Sequence, residues 1–154
     1  MNMTKPVAPA TPSAEPRVTL AKLAGSFVYR FSGPAMQNAI SYQLMGIGQF
    51  QLDQQGNLSG NHKYSILALQ GQAANLLTGA YRLKGQLLVD GDGTGSATIQ
   101  FTSTQGQGRD LDGQFHVLVA ETVDRLWFVS SGATLANGEP AQELASLEAI
   151  RVLT

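Results

Sequence analysis

Gly46-Ile47-Gly48-Gln49-Phe50-Gln51-Leu52-Asp53-Gln54-Gln55-Gly56-Asn57-Leu58-Ser59-Gly60-Asn61-His62-Lys63-Tyr64 alternates apolar or small residues with polar ones on both sides of a short break. Period-two alternation is the pattern of a half-buried strand, and Asp followed by Gly three positions on is the chemistry of a tight turn. Gly56 falls at the third loop position, where a type I turn with a bulge needs a left-handed backbone. Placing Asp53 opposite Asn57 aligns Leu52 with Leu58, Phe50 with Gly60, Gly48 with His62, Gly46 with Tyr64 and Leu44 with Ile66. One face of this hairpin is apolar; the other carries Gln49, Gln51, Ser59, Asn61 and Lys63.

The unit recurs. Gly48, Phe50, Leu52, Asp53, Gly56 and Asn57 are matched 37 positions on by Gly85, Leu87, Val89, Asp90, Gly93 and Thr94. The same register sets Val89 against Gly95, Leu87 against Ala97, Gly85 against Ile99 and Leu83 against Phe101. A two-residue turn at Thr122-Val123 pairs Val119 with Leu126 and Val117 with Phe128, and carries the apolar face on through Phe115. Strands are expected over Ser26 to Ser32, Ile40 to Asp53, Asn57 to Leu69, Leu76 to Asp90, Thr94 to Thr104, Asp112 to Glu121, Arg125 to Ser131 and Ala145 to Leu153. The Ala133 to Leu144 connection is long enough for a short helical turn. A meander of eight strands has two raw edges unless it closes. The expected fold is therefore all-β, an eight-stranded antiparallel up-and-down β-barrel. A two-sheet sandwich would need a long crossing connection that the short turns do not provide.

The chain has 154 residues, enough for one core, of which 43% are hydrophobic and only 14% charged. Four prolines among Ala, Thr and Ser before position 17 predict a flexible Pro/Ala-rich leader over residues 1–20, with one barrel domain over 21–154. That segment lacks the apolar core of a secretory signal, and no apolar run is long enough for a membrane span, so a cytoplasmic location is expected. A formal net charge of -1 provides no broad positive field, which argues against nucleic acid and anionic membrane as partners. With no Cys, disulfides, thiolate metal sites and a cysteine nucleophile are excluded.

Leu23-Ala24-Gly25-Ser26-Phe27 resembles the opening Gly-x-Trp strand of the lipocalins and their calycin relatives, with Phe in the place of Trp. Thr122 and Asp124 are loosely similar to that family's second motif. The resemblance implies that Arg151, near the last strand, packs over the aromatic of the first. It extends to allene oxide cyclase-like barrels, and implies a barrel that binds an apolar molecule or cyclises one. Leu77-Thr78-Gly79-Ala80-Tyr81 and Leu111-Asp112-Gly113-Gln114-Phe115 repeat the same Leu-x-Gly-x-aromatic opening, which marks strand entry within this chain.

Chemical motifs are sparse. Asp90-Gly91-Asp92-Gly93-Thr94-Gly95 begins like a calcium loop, but its twelfth position is Phe101, where such a loop needs a bidentate carboxylate. A hairpin turn accounts for the same residues. Gly46-Ile47-Gly48 and Gly106-Gln107-Gly108 lack the third glycine and the following helix of a dinucleotide loop. No Gly-x-Ser-x-Gly elbow occurs. His62 and His116, without Cys, do not make a zinc site, so neither metal nor cofactor is expected.

The informative pattern is steric. The register sets His62 and Tyr64 on the inner face across from Gly48 and Gly46, and glycine opposite a ring predicts a hollow there, helped by the inward small residues Gly60, Gly79, Gly85 and Ala97. The expected ligand-binding residues are Tyr29, Tyr42, His62, Tyr64, Tyr81, Phe101, Phe115, Phe128 and Arg151. His62 and Tyr64 are the expected catalytic pair if the barrel is an enzyme, since the unperturbed His pKa lies near neutrality. Three functions follow: a binder of a small, largely apolar molecule, a cyclase or isomerase acting on a polyene or polyketide, or a structural or partner-binding barrel with a filled core. Trp127 and Val129 fall on the outer face, where they predict a contact between copies of the chain.

Overall fold

Turn chemistry sets the architecture one hairpin at a time. In the structure, a computed structural model describing residues 16–37, 40–70, 73–106 and 108–153, a short helix α1 (Leu20–Leu23) precedes nine strands. These are β1 (Gly25–Gln37), β2 (Ile40–Leu52), β3 (Asn57–Gln70), β4 (Ala73–Val89), β5 (Thr94–Gln105), β6 (Leu111–Val119), β7 (Arg125–Leu135), β8 (Gln142–Glu143) and β9 (Ser146–Arg151). Each long strand pairs antiparallel with its chain neighbour, β7 pairs with β9, and β9 pairs with β1, which closes the barrel. β8 meets β1 in the same register as β9 (Ala35 opposite Glu143, Ser32 opposite Ser146), so the two are one staggered wall strand. The all-β, eight-walled up-and-down barrel expected from the sequence is the fold, and it leaves no raw edge. The architecture is consistent with a calycin-like barrel.

Both repeat hairpins hold the expected register. Leu52 faces Leu58, Gly48 faces His62, Gly46 faces Tyr64, Leu87 faces Ala97 and Leu83 faces Phe101. Gly56 and Gly93 take φ of 87° and 96°, and Asp53 accepts backbone N–H bonds from Gln55 and Asn57 at 2.9 and 2.8 Å. In the third hairpin Val119 faces Leu126 and Val117 faces Phe128 as expected. Its turn is wider than the expected two residues: Ala120 donates to Arg125, and Val123 lies between them at φ 61°.

Three expectations are corrected. The first strand runs to Gln37, past Gly33-Pro34, because β2 and β8 flank and pair its far half. No helical turn forms between positions 133 and 144. Instead β7 continues to Leu135 and returns through a tight turn with Gly138 at φ 86°, where Leu135 donates to Glu139 and Ala141 to Ala133. Asn137-Gly138 is a hairpin signal, and extending the ladder satisfies backbone groups that a helical turn would leave unpaired. The last wall strand accordingly starts at Gln142 rather than Ala145. The expected leader lies outside the described residues as far as position 15. Its remainder tucks under the barrel, where Val18 is buried and donates to Gly91.

The barrel's lower end is a solid core. Phe27, Phe128, Leu58, Leu83, Leu87, Ile99, Leu126 and Val119 are all buried there, with Leu23 of α1 closing it from beneath. Arg151 locks this end: its guanidinium lies 5.0 Å from the Phe27 ring centroid, the packing implied by the resemblance. Nη1 donates to Ala24 O at 2.9 Å, and Nη2 donates to the carbonyls of Lys22, Leu23 and Val123. These include the carbonyls a helix end leaves unsatisfied. No helix among the described residues is long and apolar enough to cross a membrane.

The outer face is divided. On β3 to β5 it presents Ser59, Asn61, Lys63, Arg82, Lys84, Thr98 and Gln100, all exposed. On β2, β1, β9, β7 and β6, in the order in which they adjoin, a row runs Ile47, Arg30, Glu148, Trp127, Leu118. Arg30 and Arg125 lie 3.5 and 3.6 Å from Glu148, with exposed Val28, Ile150 and Val129 around them.

Candidate functional site

The upper half of the barrel is built differently from the lower. β1, β3, β4 and β5 bring Phe31, His62, Tyr64, Tyr81 and Phe101 to it and β6 adds Phe115, while β6, β7 and the β8/β9 wall also line it with the small residues Gly113, Ser130, Gly132, Ala133 and Ala145. Where these small residues meet the rings a cavity of about 60 Å³ is left. Its lining includes Phe31, His62, Tyr64, Tyr81, Phe101 and Phe115 on the aromatic side, Leu44, Ile66, Leu111 and Leu147 around them, and Glu143.

The hollow is not where the glycines predicted it. A Cβ on Gly48 would stand 2.5 Å from His62 Cβ and against the Tyr29 ring, and one on Gly46 would stand 2.5 Å from Phe31 Cε1. Rings from β1 lie across these glycines and fill the space that the missing side chains vacate. The same holds at Gly79, which the Tyr64 ring covers. The open volume therefore lies across the barrel, against the small residues of β6 to β9.

His62 and Tyr64 point inward and are 7% and 4% exposed. The buried hydroxyl of Tyr29 is 2.7 Å from His62 Nδ1. Burial lowers the His62 pKa to about 4, which leaves the ring neutral at pH 7, and burial raises that of Tyr29. Rings surround the imidazole: Phe31 at 4.5 Å, Tyr81 and Phe101 at 5.4 Å between centroids. Tyr64 and Tyr81 lie 5.1 Å apart, and Tyr81 donates to Arg109 O at 2.9 Å, tying the β5–β6 connection over this side of the mouth. Gly108 sits over both phenols, with no room for a side chain between it and Tyr64 Oη. Burial raises the pKa of both, and the negative charge of Glu143 adds to the effect.

Of the expected ligand-binding residues, His62, Tyr64, Tyr81, Phe101 and Phe115 come together around the cavity. Tyr29 lies behind His62, outside the lining. Tyr42 stands at the rim, opposite Ala35 and Ala68, and Ala35 in turn pairs with Glu143. Phe128 belongs to the core beneath, in edge contact with Phe50 and Phe115. Arg151 is at the far end of the barrel, held by the carbonyls named above, and does not face the cavity.

Glu143 is the residue that sequence reading passed over. It lies in the inward row with Ala145, Leu147 and Ala149, and burial raises its carboxyl pKa. Counting back by two from the buried Ala149 would have found it, had the strand been carried up to position 142. Among the described residues no cationic side chain lines the cavity, and no group of three His, Cys, Asp or Glu is placed to hold a metal. No protein-family model and no curated protein sequence matches the chain.

Proposed function

We propose that the barrel holds a small, largely apolar molecule, or the end of one, in its upper cavity. What carries the reading is a set of six rings meeting a cluster of Gly, Ala and Ser positions contributed from β6 to β9, which leaves about 60 Å³ unfilled in an otherwise packed interior. That is room for about four water-sized groups, and far less than the roughly 300–1,000 Å³ of a drug-sized site. Apolar contact supplies the affinity; the Tyr64 and Tyr81 hydroxyls, the neutral His62 ring and Glu143 supply orientation.

The cyclase reading is second. It needs a chamber that encloses a folded chain, and this one admits a few heavy atoms only. With one ring nitrogen against the Tyr29 hydroxyl and a pKa near 4, His62 serves as a neutral hydrogen-bonding group rather than a base poised near neutrality. The filled-core reading describes the lower half alone. A contact between copies through the apolar outer face around Trp127 belongs to the same proposal, supported by the adjacency of Trp127, Leu118, Ile150 and Val28 there.

Titration of isotope-labelled protein with small aromatic and branched aliphatic compounds tests the binding reading. Amide shifts are expected at Gly113, Gly132 and Tyr81, and Ala145→Leu, which fills the hollow, is expected to abolish them without lowering Tm. No saturable shift at millimolar ligand, or shifts confined to the outer face, would overturn it.

A further inference from the structure

The cavity's charge and ring content specify a class of guest. Its walls hold one carboxylate, Glu143, and no cation among the described residues. Sharing the cavity with that carboxylate are the rings of Tyr64, Tyr81, Phe101, Phe31 and the imidazole of His62, and the carboxylate's charge acts on the two phenols. Beside the Tyr64 phenol, the groups that act electrostatically on Tyr81 are the carboxyls of Glu143 and Asp110. An aromatic enclosure with one carboxylate attracts an organic cation twice over, through the negative faces of the rings and through the opposite charge. It repels an anion by the same arithmetic, and it leaves Glu143 without a counter-charge in the lining when a neutral guest is bound.

We infer that the guest enters the cavity through a small ammonium head, held between the aromatic wall and the Glu143 carboxylate. The inference rests on the cavity-binding reading above and narrows it. Size agrees: a trimethylammonium head of about four heavy atoms matches a space of about four water-sized groups, with any apolar remainder leaving through the mouth. The geometry also assigns roles. Glu143 is the counter-ion, Tyr81 is tethered through its hydroxyl to Arg109 O, and His62 contributes an uncharged ring.

Choline and its neutral isostere 3,3-dimethylbutan-1-ol differ only in nitrogen for carbon, and 3,3-dimethylbutanoate supplies an anion of similar shape. Titrated into labelled full-length protein, choline is expected to bind about tenfold more tightly than the alcohol, and the carboxylate more weakly than either. Added salt should weaken choline and leave the alcohol unchanged. In Glu143→Gln the ratio of choline to alcohol affinity should fall toward one while the alcohol's affinity persists. The wild-type ratio stands as a test whether or not that variant folds. Equal binding of choline and the alcohol overturns the inference and leaves the cavity reading intact. Binding of none of the three overturns both.

Discussion

Acidifying the protein from pH 7 to 4.5 should remove stability mainly through one side chain. Burial holds the folded-state pKa of His62 at about 4, against 6.5 for an ordinary imidazole. Between those values the unfolded chain binds a proton that the folded chain refuses, so the free energy of unfolding falls as pH falls. Over the whole interval the loss is roughly 3 kcal/mol, at 1.36 kcal/mol for each pH unit separating the two pKa values. Below about pH 4 the folded imidazole protonates too and the dependence flattens. Glu143 acts with the opposite sign, because its carboxyl is raised by burial and protonates in the fold before it does in the unfolded chain. Asp53, Asp92 and Asp124, held low by hydrogen bonds in their turns, add stability at neutral pH that is lost only as pH falls through the ordinary carboxylate range and below it. The His62 share is isolated by His62→Phe. At pH 7 this variant leaves the buried Tyr29 hydroxyl without its partner and should be less stable by about 2 kcal/mol. Urea unfolding at pH 7, 6, 5 and 4.5 should then show the wild type losing stability faster than the variant, the gap closing by pH 4.5. A gap that stays constant over that range would refute the reasoning.

Two further substitutions test the packing. Gly48→Ala places a methyl group against the Tyr29 ring and His62 Cβ, and overpacking there should lower stability by about 2 kcal/mol in urea titrations, whereas Gln49→Ala on the outer face should change it by less than about 0.5 kcal/mol. Arg151→Met keeps an apolar contact with Phe27 but strips hydrogen bonds from the carbonyls of Lys22, Leu23, Ala24 and Val123; a loss of about 3 kcal/mol, or about 10 °C in Tm by calorimetry, is expected.

Much of the fold was legible because its hairpin turns state their own register. Asp53 with Gly56 and Asp90 with Gly93 leave one pairing that keeps all the large apolar residues on one side, and that pairing placed His62 and Tyr64 inward correctly. The β1–β2 pairing carries no such signature, since no Asx-Gly turn joins Met36 to Ile40. Without it, nothing in the sequence reveals that Phe31 and Tyr29 lie across Gly46 and Gly48 and fill the space those glycines leave. Glu143 was hidden for a related reason: reading Ala133 to Leu144 as a connection removed it from the alternation that governs Leu147 and Ala149. Of the two roles expected of Arg151, the aromatic contact is met by its packing on Phe27, while its hydrogen bonds to the helix carbonyls hold it at the end of the barrel away from the cavity.

The split between a solid lower end and a hollow upper one separates two demands that most binding proteins must meet with the same residues. The tier around Phe27, Leu87 and Phe128 is cohesive throughout, whereas in the upper tier Phe31, Tyr64, Phe101, Phe115 and Leu147 belong to the same core and the proposed guest would meet Ser130, Ala133, Ala145 and Glu143, which do not. On the proposed reading, substitutions at these four positions should alter which guest is held while the core cluster stays intact, which makes this end of the barrel the natural place to graft a new specificity.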